Sequence, residues 1–112
     1  MRLSEIAAEL GLELLNSQVE MGKEVTGGYV SDLLSDVMGN AREGELWITL
    51  QAHINVVAVA SLKEMAAILL VKGIRPDPKM LQKATDEGIP VLGTSDGTFS
   101  AAGKLYALLV HS

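Results

Sequence analysis

At 112 residues the chain has room for one folded domain, residues 1–112, with a real core and too little length for a second. Apolar residues make up 48% of it but aromatics only 4%, so the core must be built from Leu, Ile, Val, Ala and Met. A formal charge of -5 with no basic run argues against phosphate-backbone binding, so no nucleic-acid partner is expected. The lack of cysteine excludes disulfides, zinc–thiolate sites, iron–sulfur ligation and thiol nucleophiles. No charged-then-apolar leader is visible, and the apolar runs fall far short of the ~18 residues a membrane span needs. A cytoplasmic protein without a membrane partner is expected.

In chain order, Leu3, Ile6, Ala7 and Leu10 recur at helical spacing from Ser4 onward, and Gly11 is a natural C′ residue. Leu12 to Leu15 reads as a short strand and Asn16 to Glu24 as a polar loop. Gly27-Gly28 marks a tight backbone path before Tyr29-Val30, which has strand character. Ser31 or Asp32 then caps a helix with Leu33, Leu34, Val37 and Met38 on one face, closed by Gly39-Asn40. Leu46 to Leu50 reads as a buried strand.

Residues 55 to 66 are ambiguous. Val56 to Ala60 is β-branched and reads as a strand on propensity. Yet Ala67 to Val71 is a strand candidate too, and two parallel strands need a crossover of about a dozen residues, usually a helix. The spacing predicts a helix over 56–65 with Asn55 as its N-cap; the alternative is a strand at 56–60 and a shorter helix opened by a Ser61/Glu64 capping box. Asp77 as N-cap and Pro78 at the first helical position start the next helix, with Leu81, Ala84 and Thr85 inward and Gly88 at its end. Ile89 to Leu92 is a strand that tolerates Pro90 near its start. Gly93 to Gly97 is a polar loop, and Ala101, Leu105, Leu108 and Leu109 stripe a final helix. Alternating strands and helices predict an α/β fold: a mostly parallel sheet of about five strands with helices on both faces.

Four segments, in order, carry a resemblance: Val25-Thr-Gly-Gly-Tyr-Val-Ser-Asp-Leu-Leu34, Trp47-Ile-Thr49 with its polar tail, Ile68-Leu-Leu-Val-Lys-Gly-Ile-Arg-Pro76, and Glu87-Gly-Ile-Pro-Val-Leu92. Together they resemble the DRTGG domain family from about residue 3 to 109. The chain departs from the family's name motif: Glu24-Val25 stands where Asp-Arg is usual, while Thr26-Gly27-Gly28 is kept. The resemblance implies a fold like the N-terminal domain of HPr kinase/phosphorylase. It also implies a role in regulation and dimerisation beside pyrophosphatase, phosphotransacetylase or ligand-sensing modules, or as a stand-alone protein beside iron-only hydrogenases.

Kinase activity can be tested on the residues. A phosphate loop needs Gly-x-x-x-x-Gly-Lys-Ser/Thr. Gly22-Lys23 lacks the upstream glycine and the following hydroxyl, and Gly103-Lys104 runs into Leu105, so phosphoryl transfer by this chain is rejected. With His111 beside the terminus, His53 is the one internal histidine, too little for a Ser-His-acid triad, and no carboxylate stands at metal-ligand spacing from it. No catalytic residue, metal or cofactor is expected.

The sharpest cluster is Thr49, Gln51, His53 and Asn55, at the point where a buried strand gives way to a helix. Such ends hold ligands in α/β proteins, and helix-start amides suit an anion or a nucleotide phosphate. The plain alternative, which weighs somewhat more, is that Asn55 only caps the helix and His53 lies in solvent. Thr26, Gly27 and Gly28 could admit a ligand close to the backbone, although glycine pairs more often serve a turn. Thr94 and Asp96 belong to a second hydroxyl-rich loop in which Ser95 or Asp96 caps the last helix. Met21, Met38, Met65 and Met80 read as core filler, and Trp47 as either buried or an interface anchor. The expectation is a homodimeric, non-enzymatic regulatory module binding a small anionic metabolite or nucleotide. The alternative is an accessory domain for a partner enzyme such as an iron-only hydrogenase.

Overall fold

The computed structural model describes residues 1–111. Its elements are α1 (Leu3–Leu10), β1 (Glu13–Leu14), β2 (Gly27–Val30), α2 (Leu34–Asn40), β3 (Glu45–Thr49), α3 (Ile54–Leu62), β4 (Ala67–Leu70), α4 (Pro78–Asp86), β5 (Val91–Gly93) and α5 (Thr98–Val110). The five strands form one sheet in the order β1-β5-β4-β3-β2. β2 to β5 are parallel, and β1 joins β5 antiparallel. The α/β class, the strand number and the mostly parallel sheet agree with the sequence reading.

From β2 to β5 the chain steps one strand at a time in the same direction. Right-handed crossovers then place α2, α3 and α4 on one face. The sheet residues divide accordingly, with period 2. Trp47, Ile68, Leu70 and Val91 meet Val37, Val56, Val57, Met80 and Ala84 on that face. Leu46, Ile48, Leu69 and Leu92 meet Leu3 and Ile6 of α1 and Ala101 and Leu105 of α5 on the other. Trp47 is fully buried, and its indole donates to the Ser31 carbonyl at 2.8 Å, so it is a core residue.

The ambiguous segment resolves as a helix. Val56, Val57 and Ala60 are buried, Ser61 lies in the last turn, and Glu64 at φ 53° leaves that helix instead of extending a second one. The crossover requirement overrides the β-branched propensity.

Three cap assignments are corrected. Asn55 is not the N-cap of α3: His53 occupies that position, its carbonyl accepting from Val56 N–H at 3.1 Å, and Asn55 falls inside the first turn. Neither Ser31 nor Asp32 caps α2, whose N-cap is Leu33; Ser31 forms a local turn and Asp32 turns away to the end of β3. Gly97, not Ser95 or Asp96, caps α5, because Asp96 is drawn into an ion pair with Lys104. Leu33 and Met38, expected on the buried face of α2, are 63% and 39% exposed. With Leu33 outside the helix and only two turns formed, Val37 alone is fully buried there. Asp77 and Pro78 start α4 as predicted, the Asp77 carboxylate accepting from Lys79 N–H. Gly11 ends α1 at φ 64°.

The polar stretch after β1 contains a fastening that the sequence did not reveal. Buried Asn16 donates its amide to the Ile89 carbonyl at 2.9 Å and accepts from Val91 N–H at 2.8 Å. It thereby grips the backbone on both sides of Pro90, where the ring leaves the strand without an N–H of its own.

Candidate functional site

The nine residues singled out from the sequence fall at two opposite ends of the sheet. Thr26, Gly27 and Gly28 lie at the amino end of β2, Gly27 opposite Glu45 at the start of β3. The other six lie at the carboxyl ends of the strands, where Thr49, Leu70 and Gly93 stand in register side by side. The loops after β3 and β5 are therefore about 10 Å apart, with the loop after β4 between them.

At the end of β3 the polar side chains are spent on one another. Asp32 accepts from the Thr49 hydroxyl at 2.8 Å and from Leu50 N–H at 2.7 Å. Thr49, only 1% exposed, accepts in turn from Gln51 N–H at 3.1 Å, and the Gln51 amide donates to the Asp32 carbonyl at 3.0 Å. A carboxylate accepting two short bonds fixes the turn from β3 towards α3. Among the described residues, His53 and Asn55 are exposed and neither side chain has a hydrogen-bond partner.

At the ends of β4 and β5 the chain behaves differently. The loop after β4 leads to α4 on one face, and the loop after β5 leads to α5 on the other. This divergence is a topological switch point, where open α/β sheets form their ligand crevices. Two backbone bonds hold the loops together at the base: Lys72 N–H to the Asp96 carbonyl and Gly73 N–H to the Thr94 carbonyl, both 2.8 Å. Lys72 at φ 59° and Gly73 at φ 68° make the sharp bend this requires. Beside it lies a shallow crevice of about 390 Å³, lined by Gly73, Ile74, Arg75, Thr94, Ser95 and Glu13 among others. Arg75 is the one cation on its wall and meets Glu13 at 3.3 Å; both side chains are more than half exposed. The Thr94 hydroxyl accepts from Asp96 N–H, and the Asp96 carboxylate is held by Lys104 at 2.8 Å. Sequence reasoning passes over Arg75, which follows β4, and reads Ser95 only as a helix cap, because residue order does not say on which side of each loop a crevice opens.

At the other end, Thr26, Gly27 and Gly28 border a groove of about 570 Å³ between β2 and the second half of α5. A Cβ on Gly28 would stand 2.8 Å from Leu105 Cδ2, so this glycine lets α5 lie close on the sheet. The Thr26 hydroxyl donates to the Glu43 carbonyl at 3.0 Å. Further along β2 the Tyr29 hydroxyl donates to Asp36 at 2.8 Å. That bond, with help from Ser31 and Asn40, holds the Asp36 carboxyl below the ordinary carboxylate range, and the same bond raises the Tyr29 phenol above its usual value.

The described residues hold no group of three or more His, Cys, Asp or Glu placed to bind a metal, and no helix among them is long and apolar enough to cross a membrane.

No curated protein is significantly similar to the chain. Among solved structures, the CBS and DRTGG domains of the regulatory region of Clostridium perfringens pyrophosphatase, complexed with the activator diadenosine tetraphosphate, share the fold with a TM-score of 0.70 at 19% identity. The likeness covers 92% of this chain and 45% of that one, so the chain spans less than half the length of that structure. The DRTGG domain model matches residues 5–108, nearly the whole sequence, and the chain accordingly belongs to the DRTGG domain family.

Proposed function

We propose that this chain is a single-domain, cytoplasmic, non-enzymatic regulatory module that binds a small anionic ligand of the nucleotide class and acts as a homodimer. The observation that carries the ligand reading is the crevice beside the switch point, between the loop after β4, the end of β5 and Glu13 of β1, with Arg75 and Ser95 in its lining. An exposed Arg–Glu pair contributes little to stability. A phosphate that took over the guanidinium from Glu13 would gain a bidentate, charge-assisted contact at small cost. His53 and Asn55, both unengaged, follow Ala52 in the neighbouring loop, whose Ala52 carbonyl accepts from Asp77 N–H at 3.0 Å, and they would meet the far end of an extended ligand. The regulatory region of the pyrophosphatase, a structural relative of this chain, is complexed with a dinucleotide activator, which supports the choice of ligand class.

The test is a thermal-shift screen of nucleotides, diadenosine tetraphosphate included, on the wild-type chain and on Arg75→Ala and His53→Ala. At a hundredfold excess over the dissociation constant, linkage gives about 2.7 kcal/mol of added stability. Loss of the shift in Arg75→Ala supports the crevice. A full shift in Arg75→Ala would move the site elsewhere. No shift with any nucleotide would favour the accessory-domain reading, in which a partner enzyme is recognised without a small ligand.

A further inference from the structure

We propose that the open edge of β2, together with the outward stripe of α5, is the surface through which two copies of this chain associate about a twofold axis. This rests on the homodimer reading above and specifies its interface. β2 ends the sheet, so one side of its backbone has no strand neighbour. Proteins usually blunt such edges by shortening them or placing charge or proline on them. The opposite edge conforms: β1 is two residues long and carries Glu13. β2 does not. It is four residues of Gly-Gly-Tyr-Val with neither charge nor proline. An edge left this way is a template for another strand, and a twofold axis lets the same four residues serve both partners.

The helix beside it points to the same occupant. α5 already has an inner face in Ala101 and Leu105, both buried. Phe99, Tyr106 and Val110 form a second apolar line at helical spacing, and they are 94%, 71% and 57% exposed. Gly103 sits on that line in mid-helix. A Cβ there would meet nothing within 4 Å, so nothing inside the monomer requires a glycine. Its backbone cost of about 1 kcal/mol has no return in the isolated chain. A second helix approaching closely across the stripe supplies the reason.

With Val30, 48% exposed at the end of β2, these side chains offer on the order of 600 Å² per protomer, and the strand edge adds to it, against about 800 Å² per partner in a standard interface. Of the groove's lining residues only Glu45 is charged, which matches the charge-poor centre of an interface and matters when each copy carries a net charge of -5.

Sedimentation of the full chain at high micromolar concentration tests this, on wild type, Val30→Asp, Tyr106→Asp and Gly103→Ala. Amide hydrogen exchange read at low and high concentration accompanies it. The expected result is a wild-type dimer whose β2 amides become protected as concentration rises. Each aspartate variant raises the dissociation constant roughly tenfold or more. Gly103→Ala also loosens the dimer, yet its monomer melts higher than wild type, which separates lost association from lost folding. A wild-type dimer left intact in all three variants, with β2 amides unprotected, overturns this interface and leaves the homodimer standing. A wild-type monomer overturns both. β2 protection that appears only when an extended peptide is added overturns this interface alone, because the edge would then serve a foreign strand.

Discussion

The two edges of the sheet are built on opposite plans. At the β1 edge the strand is cut to two residues, joined antiparallel to β5 and followed at once by Asn16, whose amide occupies the Ile89 carbonyl and Val91 N–H. At the β2 edge the flanks are fastened while the strand itself is left free. Asp32 ties its carboxyl end to β3, Gly44 N–H and carbonyl pin the turn before β3, and Tyr29 anchors one face through Asp36. At one edge a side chain takes up the β5 backbone groups that the short strand leaves over. The other is an apolar margin held at its flanks. A margin that is firmly placed and left uncovered suits a partner better than a flexible one, because less ordering entropy is lost on contact.

Substitutions that loosen each edge should separate these plans. The largest effect is expected at the sealed edge. Asn16→Ala removes two hydrogen bonds and strands a buried carbonyl and a buried N–H, so urea unfolding should show a loss of about 3 kcal/mol. A loss under about 1 kcal/mol would mean the β1 edge is held by strand pairing alone. Next comes Gly44→Ala. Gly44 has φ 82°, and a Cβ there would stand 2.8 Å from Thr26 Oγ1. Strain and clash together should cost about 2 kcal/mol. Adding Thr26→Ala should recover the clash and leave the strain, a coupling that a double-mutant cycle would measure. Asp32→Ala unties the end of β2 from β3 and should cost about 1–2 kcal/mol, because a charge-assisted acceptor is lost from Thr49 and Leu50 at a position open to water.

The smallest effect is a matter of pH. The Asp36 carboxyl is held below its ordinary value of 3.8, so its contribution is complete above that value and is lost as pH falls through the lower, folded one. The Tyr29 phenol is held above 10.0, so its share is complete below 10.0 and is lost as pH rises through the higher, folded value. Melting of wild type and Asp36→Asn should therefore differ across the neutral range and converge at both extremes. A difference that persists in strong acid would show that the Tyr29–Asp36 bond is not its source.

Much of the β3–α3 region was legible from residue order. The run from Leu46 and the polar tail at Thr49 and Gln51 stand where they are expected, and the crossover is helical, although it starts at Ile54 and ends at Leu62 instead of spanning 56–65. The purpose of the polar tail was not legible. Thr49 and Gln51 read as ligand groups, and they are the partners of Asp32, a residue seventeen and nineteen positions earlier that the sequence offers as a helix cap. A short polar side chain announces that it will bond; which of several nearby backbones or side chains it meets depends on how the strands are placed. Asn16 makes the same point more sharply, because its partners lie more than seventy residues away.

The sequence by itself determined the elements and their class. Its continuous apolar runs mark the strands and its helical spacings most of the helices, its glycines and prolines mark the ends, and the crossover lengths force parallel pairing, all of which are local or nearly local quantities. Only the tertiary structure decided which strand lies at each edge and that α5 crosses to the opposite face beside the crevice that Arg75 lines. Those outcomes depend on strand order, and strand order is a property of the whole chain packing at once.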